Sequence, residues 1–256
     1  MRPVILDFFG LQIQSYGVSK ALAAIAAGWL LQRELIRGRL SGEHAFPLTL
    51  AGVVGGFAGA KVYYLVEVGS DVSLHDLGGT GFTWYGGVLG GTAAVLWIAR
   101  RRGLPLWRLA AMATIPLAVA YAMGRLGCLL AGDGTYGGPS DLPWAMSFPN
   151  GTVPTTDRVH PAPLYEAILA FATAALLWRF RDRLAPRRLF GLFAIAMGSS
   201  RAVVEIVRLN DPVVVGLTMP QLFSFVLVAL GLILMVGDSR RDSPARRKAI
   251  VGASRA

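Results

Sequence analysis

The sequence predicts an all-α polytopic membrane protein with seven transmembrane helices, its N-terminus outside and its C-terminus inside. Hydrophobic residues make up 54% of the 256 residues and charged residues only 16%, which is far from the composition of an average globular domain. Apolar stretches close to the roughly 20 residues that cross about 30 Å of hydrocarbon recur along the whole chain. We therefore expect one integral-membrane domain over residues 1–256.

Each predicted span is an apolar stretch bounded by polar or turn-forming residues. The seven stretches cover residues 13–31, 46–66, 82–99, 106–130, 163–180, 189–207 and 219–236. The first carries Lys20 and no small-residue cleavage site follows it, so we interpret it as a retained helix and not as a signal peptide. The segment 131–162 is rich in proline and glycine, and we expect it to form an ordered cap on the outer face.

The positive charges fall on alternate connections of the predicted helices. The connections after the first, third and fifth spans, together with the tail at 238–256, hold 18 of the 25 lysines and arginines, whereas the loop 67–81 holds none. Short loops rich in Lys and Arg stay cytoplasmic, which predicts the orientation given above. Because the net charge of +10 reflects topology, we expect no nucleic-acid partner.

Metal and disulfide chemistry have little support in the sequence. The single cysteine, Cys128, excludes an intrachain disulfide and a multi-cysteine metal site, and we interpret it as a small buried residue. The three histidines lie far apart and lack the spacing of metal ligands. We therefore expect no metal ion.

Seven positive charges do not belong to the topology signal, and several lie within or at the ends of the predicted spans. They are Arg2, Lys20, Lys61, Arg125, Arg158, Arg201 and Arg208. Ionisable side chains in such places are costly and mark a pathway, an ion pair or a substrate site. We expect those near the outer ends of the spans to project toward one region of the outer leaflet.

Three charged residues of the sixth span point to a phosphate ligand. Arg201, Glu205 and Arg208 stand at i, i+4 and i+7, which predicts that they share one helix face. A guanidinium is a planar fork of donors that suits a phosphate, and Glu205 would orient the two arginines. The alternative is that the arginines pair with Glu205, Asp133 and Glu166 to hold helices together.

Glycines crowd around Arg125 and Asp133, where the fourth span gives way to an irregular segment. They are Gly124, Gly127, Gly132, Gly134, Gly137 and Gly138. Non-helical backbone at membrane depth is tolerated only where protein or a water-filled cavity satisfies its polar groups. The pattern therefore predicts a site at this end of the span.

Several short motifs follow one another in order along the chain. They are Ser15-Tyr16-Gly17, Gly59-Ala60-Lys61, Tyr85-Gly86-Gly87, Gly124-Arg125-Leu126-Gly127, Asp133 with Tyr136-Gly137, Leu142-Pro143-Trp144-Ala145-Met146, and His160-Pro161 with Leu164-Tyr165-Glu166. Together with Arg201, Glu205 and Arg208, this ordered set resembles the prolipoprotein diacylglyceryl transferase family over nearly the full chain.

The resemblance implies transfer of the diacylglyceryl group of phosphatidylglycerol to the lipobox cysteine thiol of a preprolipoprotein, with release of glycerol phosphate. It implies no cofactor, a place in the bacterial inner membrane, and an active site toward the outer, periplasmic face. The implied catalytic residues are Arg125, Arg201, Tyr85 and Asp133. The implied substrate-binding residues are Tyr16, Lys61, Gly86, Gly87, Tyr136, His160, Glu205 and Arg208. Arg125 and Arg201 would hold and neutralise the phosphate.

The sequence also departs from the family pattern. Tyr85 stands where many members have His, and because its reference pKa is about 10 it is a poor base and a better hydrogen-bond donor to phosphate. Cys128 and Ala131 occupy the usual Asn positions, Asp133 replaces the usual Glu, and one extra residue follows it.

These departures leave the general base open between Asp133 and His160. They also leave two alternative functions open. One is a paralogous phospholipid-dependent transferase with another acceptor, and the other is a non-enzymatic seven-helix protein that binds or transports lipid.

Overall fold

A computed structural model describes residues 3–8, 11–69 and 81–239 of the chain. These residues form seven α-helices: α1 (Ser15–Arg37), α2 (Ala45–Val68), α3 (Trp84–Arg101), α4 (Leu106–Ala131), α5 (Ala162–Phe180), α6 (Pro186–Glu205) and α7 (Met219–Ser239). Each predicted span therefore corresponds to a helix. The loop at 67–81 and the basic tail at 238–256 lie mostly outside the described residues, and Arg2 lies outside them as well.

Four of the described segments are long and apolar enough to cross a membrane. They are Gly42–Val68, Leu106–Ala131, Ala162–Phe180 and Met219–Gly237. Large apolar side chains on α7 stand exposed: Val226 is 65% and Ile233 67% accessible. A surface of this kind is unsuited to water and is typical of a helix that faces lipid. The protein is therefore a multi-helix membrane protein.

The prediction of an all-α chain is incomplete, because two short antiparallel hairpins accompany the helices. Strand β1 (Val4–Phe8) pairs with β2 (Leu11–Gln14), and β3 (Met146–Phe148) pairs with β4 (Thr155–Val159). The first hairpin explains why α1 begins at Ser15 and not at residue 13. The alternation of Gln12, Ile13 and Gln14 has the two-residue period of a strand.

The chain divides into two compact units. The first unit combines Met1–Ala26 with Ala113–Ala256, and the second covers Ala27–Met112. The division separates the predicted site residues into two groups. Arg125, Arg201, Glu205 and Arg208 belong to the first unit, whereas Tyr85 belongs to the second.

Glycines hold α2 and α3 in backbone contact in the second unit. A Cβ atom on Gly59 would overlap the carbonyl oxygen of Gly86, and one on Gly90 would overlap that of Gly55. Small residues permit this close approach of helices in lipid, where the hydrophobic effect does not drive helices together. The glycines of α2 and α3 thus form packing surfaces between the two helices.

The cap segment, 131–162, is ordered in the first unit. Gly132 has a φ of 60° and ends α4, with its N–H donating to the carbonyl of Cys128 over 2.9 Å. Further along, the N–H of Gly138 donates to Val207 O over 2.9 Å, just after the end of α6. A Cβ atom on Gly137 would overlap the same carbonyl. The cap is therefore bound to the C-terminal end of α6.

Candidate functional site

A buried carboxylate on α5 lies at the centre of an arginine cluster in the first unit. The Glu166 side chain is only 1% exposed. Its Oε2 atom lies 2.9 Å from Nε of Arg125 on α4, and its Oε1 atom lies 3.1 Å from Nη1 of Arg201 on α6. One carboxylate thereby connects three helices and fixes the two arginines predicted to be catalytic.

A tyrosine completes the contacts of Glu166. The hydroxyl of Tyr121 donates to Glu166 Oε1 over 3.1 Å, and it accepts a hydrogen bond from Nη2 of Arg125 over 3.1 Å. The guanidinium of Arg125 also lies 5.0 Å from the centre of the Tyr121 ring. Because Tyr121 precedes Arg125 by four residues on α4, the two side chains share one helix face.

Glu205, the last residue of α6, is the second buried carboxylate of the cluster. Its Oε2 atom lies 2.7 Å from Nη2 of Arg201, one helical turn earlier. Its Oε1 atom accepts hydrogen bonds from Nδ2 of Asn210 over 2.7 Å and from the hydroxyl of Thr218 over 2.6 Å. Arg201 therefore lies between two carboxylates, Glu166 and Glu205, which together determine its orientation.

The prediction that Arg208 shares the helix face of Arg201 is wrong. The helix ends at Glu205, and Arg208 lies beyond it, in a β-bridge with Gly137 of the cap. Its Nη1 atom is 3.8 Å from Glu166 and its Nε atom is 3.9 Å from Glu205. The cap pairing, and not a helical repeat, brings Arg208 to the cluster.

Two buried nitrogen atoms of Arg208 have no hydrogen-bond partner within the described part of the chain. These are Nε and Nη1. Burial lowers the pKa of the Arg208 guanidinium from its ordinary value, and the charge of Arg201 acts in the same direction. An arginine nevertheless stays protonated in a protein, so a buried charge with open donors remains. A bound anion would neutralise this charge and accept hydrogen bonds from the two nitrogen atoms.

The predicted site residues of the cap are engaged in contacts within it. Asp133 accepts hydrogen bonds from the N–H and the hydroxyl of Thr135, over 3.2 and 2.6 Å. The hydroxyl of Tyr136 donates to Val153 O over 3.0 Å. His160 lies with Nδ1 3.4 Å from the hydroxyl of Tyr165, the neighbour of Glu166.

Tyr16 lies on the first turn of α1, also in the first unit. The ammonium of Lys20 is 4.9 Å from the centre of the Tyr16 ring. A Cβ atom on Gly124 would come within 3.3 Å of the same ammonium, so Lys20 lies against α4 one residue before Arg125. The structure thus brings the Tyr16 and Lys20 pair to the turn of α4 that carries Arg125.

The remaining predicted residues gather where α2 meets α3 in the second unit. The ammonium of Lys61 lies 4.6 Å from the centre of the Phe82 ring. Tyr85 makes an edge-to-face contact with Trp84, with ring centres 5.3 Å apart. Gly86 is buried against α2, and a Cβ atom on Gly87 would lie 3.5 Å from Gly56 O. Each glycine thus has a packing role in addition to any contact with substrate.

Sequence reasoning treated Glu166 only as a helix-pairing partner and a motif residue, and it missed Tyr121. The pairing of the arginines with Glu166 and Glu205 is confirmed by the ion pairs. A carboxylate within an apolar span is a signal that could have identified Glu166 as a site residue. The four-residue spacing from Arg125 could likewise have identified Tyr121. Cys128 is buried with a free thiol, as predicted.

The cluster is suited to bind one negative charge. Three guanidinium groups surround two carboxylates, which leaves one positive charge in excess. Guanidinium groups bind phosphate oxygens through paired hydrogen bonds, and they do so more strongly away from water. Within this cluster, Arg208 has two open hydrogen-bond donors, Nε and Nη1. A phosphate group is therefore the ligand that the geometry favours.

Comparisons with known proteins agree with this chemistry. The family model described as prolipoprotein diacylglyceryl transferase matches residues 3–237. A Clostridium tetani protein named phosphatidylglycerol–prolipoprotein diacylglyceryl transferase is 33% identical over 219 residues, covering 83% of this chain and 87% of the relative. Proteins of the same name from Bradyrhizobium diazoefficiens and Nitrobacter winogradskyi are each 31% identical, over 97% and 95% of this chain and 95% and 90% of their own lengths.

Proposed function

The chain belongs to the prolipoprotein diacylglyceryl transferase family, and on that premise we propose that it transfers the diacylglyceryl group of phosphatidylglycerol to the lipobox cysteine thiol of a preprolipoprotein. The observation that carries the proposal is the buried cluster of Arg125, Arg201 and Arg208 around Glu166 and Glu205. Its one excess positive charge matches the single negative charge of the phosphodiester in phosphatidylglycerol.

The reaction exchanges an oxygen for a sulfur at one glycerol carbon. The cysteine sulfur of the acceptor forms a bond to the terminal carbon of the diacylglycerol part, and the bond from that carbon to the phosphate oxygen breaks. Glycerol phosphate leaves with the electron pair of the broken bond, and the thiol gives up its proton. A catalyst for this step must therefore stabilise the departing anion and promote loss of the thiol proton.

Arg125 and Arg201 are proposed to stabilise the departing phosphate. Both guanidinium groups are held by Glu166 in a buried place, where such donors need little reorganisation during the reaction. Arg208 is proposed to bind the phosphate through its open Nε and Nη1 donors. Glu205 positions Arg201, and this role is supported by the 2.7 Å ion pair between them.

Removal of the thiol proton is assigned to the cap. A free thiol has a reference pKa of about 8.5, so it needs a base or a cationic neighbourhood. Asp133 and His160 are the two candidates, and both lie in the unit that holds the arginine cluster. Tyr85 is proposed as a hydrogen-bond donor to the phosphate and not as the base. Its phenol is a far weaker base than the imidazole usual at that position.

The remaining predicted residues are proposed to contact the substrates. Tyr16 and Tyr136 offer aromatic surface, Lys61 offers a charge, and the small Gly86 and Gly87 permit close approach to the backbone. Tyr16 is 40% exposed, which leaves its ring accessible to a lipid. No cofactor or metal ion is part of the proposal.

We propose that all seven helices cross the bacterial inner membrane, with the N-terminus and the cap segment outside. A single-cysteine experiment tests this orientation, because Cys128→Ala leaves the chain without a thiol. In that background Ser140→Cys should react with an impermeant maleimide added to intact spheroplasts. Arg183→Cys, in the connection after α5, should react only after lysis. The reverse pattern would contradict the proposed orientation.

Complementation tests the proposed activity. The chain is expressed in bacteria depleted of their own diacylglyceryl transferase, and mass spectrometry follows whether a reporter lipoprotein gains its thioether-linked lipid. We expect modification, and we expect its loss in Arg125→Ala and Arg201→Ala. A folded, membrane-inserted protein that modifies no reporter would instead support a transferase with another acceptor. Tyr85 and Asp133, which depart from the family pattern, would then be tested as the basis of the different acceptor.

A further inference from the structure

Two side chains outside α6 converge on a single oxygen atom of Glu205. Asn210 donates from Nδ2 over 2.7 Å and Thr218 donates from its hydroxyl over 2.6 Å, both to Oε1. The other oxygen, Oε2, lies 2.7 Å from Arg201. Thus Oε1 of Glu205 contacts the two neutral donors, and Oε2 contacts the guanidinium of Arg201.

Thr218 also caps the N-terminus of α7, and this second role fixes its side chain. Its hydroxyl accepts a hydrogen bond from the N–H of Gln221 over 3.4 Å, and its own N–H donates to Oε1 of Gln221 over 3.0 Å. This reciprocal pair is a capping box. Because the hydroxyl acts as acceptor toward Gln221, its single proton remains available to Glu205.

We propose that Thr218 is a positioning residue for the phosphate site, acting through Glu205 on Arg201. Its hydroxyl holds Oε1 of Glu205, and this directs Oε2 toward Nη2 of Arg201. Arg201 in turn contacts Glu166 through Nη1. The start of α7 therefore determines where a guanidinium on α6 points. The inference rests on the proposed function, since it assigns Arg201 to the phosphate.

The geometry explains why the two arginines alone would not hold Glu205 in one orientation. A carboxylate rotates readily about its last bond, and Arg201 and Arg208 both attract it. Two short hydrogen bonds to Oε1 oppose that rotation. Thr218 is 8% exposed and Glu205 is 3% exposed, so water does not replace a lost bond easily. Hydrogen bonds to charged groups in such places correspond to roughly a tenfold or larger change in an equilibrium constant.

The experiment compares three variants of the full chain in detergent or nanodiscs. Thr218→Val keeps the shape of the side chain and removes the hydroxyl, whereas Thr218→Ser keeps the hydroxyl. Gln221→Ala is the matched control, because it weakens the capping box of α7 and leaves the Thr218 to Glu205 bond intact. Three quantities are measured for each protein: the Kd for glycerol phosphate by calorimetry, kcat/KM for diacylglyceryl transfer, and the melting temperature.

We expect Thr218→Val to weaken glycerol phosphate binding and to lower kcat/KM, each by about tenfold. The Kd and the kcat/KM of Thr218→Ser should each stay within about twofold of the values for the unsubstituted protein. Gln221→Ala should lower the melting temperature as Thr218→Val does, without the loss of binding.

The proposal is overturned if Thr218→Val binds glycerol phosphate normally, or if Gln221→Ala loses binding to the same extent. It is also overturned if the unsubstituted protein binds no glycerol phosphate. A protein that binds glycerol phosphate but transfers no lipid would refute the proposed function alone. In that case the binding constants of the variants still decide the role of Thr218.

Discussion

Replacing Arg125 by alanine is the most direct test of the phosphate site. The substitution removes the 2.9 Å ion pair with Glu166 and the 3.1 Å hydrogen bond to Tyr121. It also removes the guanidinium from the face of the Tyr121 ring, 5.0 Å from its centre. Glu166 would keep Arg201 at 3.1 Å and Arg208 at 3.8 Å, so its charge would remain compensated.

The structure sets the expected size of the effect on catalysis and on stability. Removing one preorganised donor to a developing anion costs about 10²–10³ in kcat. Leaving a buried charge without any partner costs about 3–5 kcal/mol of folding free energy, and the loss here should be smaller because two arginines stay near Glu166. We therefore expect Arg125→Ala to fold and insert, and to transfer lipid at about a hundredth of the normal rate or less.

The assay measures glycerol phosphate released from phosphatidylglycerol in the presence of a synthetic lipobox peptide. Arg183→Ala is the matched control, because it removes one positive charge from an exposed connection. Arg125→Lys separates charge from geometry, since an ammonium lacks the planar fork of donors. Transfer above half the normal rate in Arg125→Ala, at equal amounts of inserted protein, would refute the role given to this residue.

Three further predictions concern other parts of the molecule. Glu166→Ala should lower the free energy of unfolding by about 3–5 kcal/mol, as measured by denaturation in detergent, because it leaves buried guanidinium groups without their shared carboxylate. Gly86→Ala should reduce the amount of folded protein, since its Cβ would overlap Tyr63, whereas Gly87→Ala should fold; equal folded yields would contradict the packing argument. Tyr85→Phe should lower kcat/KM by about tenfold if its hydroxyl bonds the phosphate, and unchanged kinetics would exclude that bond.

The helices could be predicted because a long apolar stretch is a strong signal in a sequence. Their ends depend on tertiary contacts, which the hydrophobic pattern does not reveal. The sixth span was expected to reach residue 207, yet α6 ends at Glu205. The cause is tertiary: Val207 O accepts from Gly138 and Arg208 bridges to Gly137. A contact with a segment some seventy residues earlier replaced the next helical turn.

The charged residues of the candidate site could be predicted from the sequence, but their arrangement in space could not. Arg125, Arg201 and Glu205 were identified because ionisable residues in apolar spans are rare. Glu166 was assigned to helix pairing, and the structure gives it both roles, since one carboxylate joins three helices and orients two arginines. Sequence alone does not distinguish a pairing residue from a positioning residue when a single side chain does both.

The sequence pattern did not predict the β3–β4 hairpin of the cap. Its strands are only three and five residues long, and β4 (Thr155–Val159) includes Asp157 and Arg158. Neither strand has enough alternation to stand out from the surrounding loop. The prolines and glycines predicted an ordered segment, but the pairing of β3 with β4 comes from contacts between residues that are distant along the chain.

The ion pair between Arg201 and Glu205 has a consequence for how α6 inserts into the membrane during synthesis. Helix α6 is not among the segments apolar enough to cross a membrane on composition alone, whereas its neighbours α5 and α7 are. A translocating segment that carries its own counter-charge one turn away enters the bilayer at a lower cost than one with a lone arginine. We therefore expect α6 to insert together with α5 and α7, so that the phosphate site is completed only when the last helix leaves the translocon.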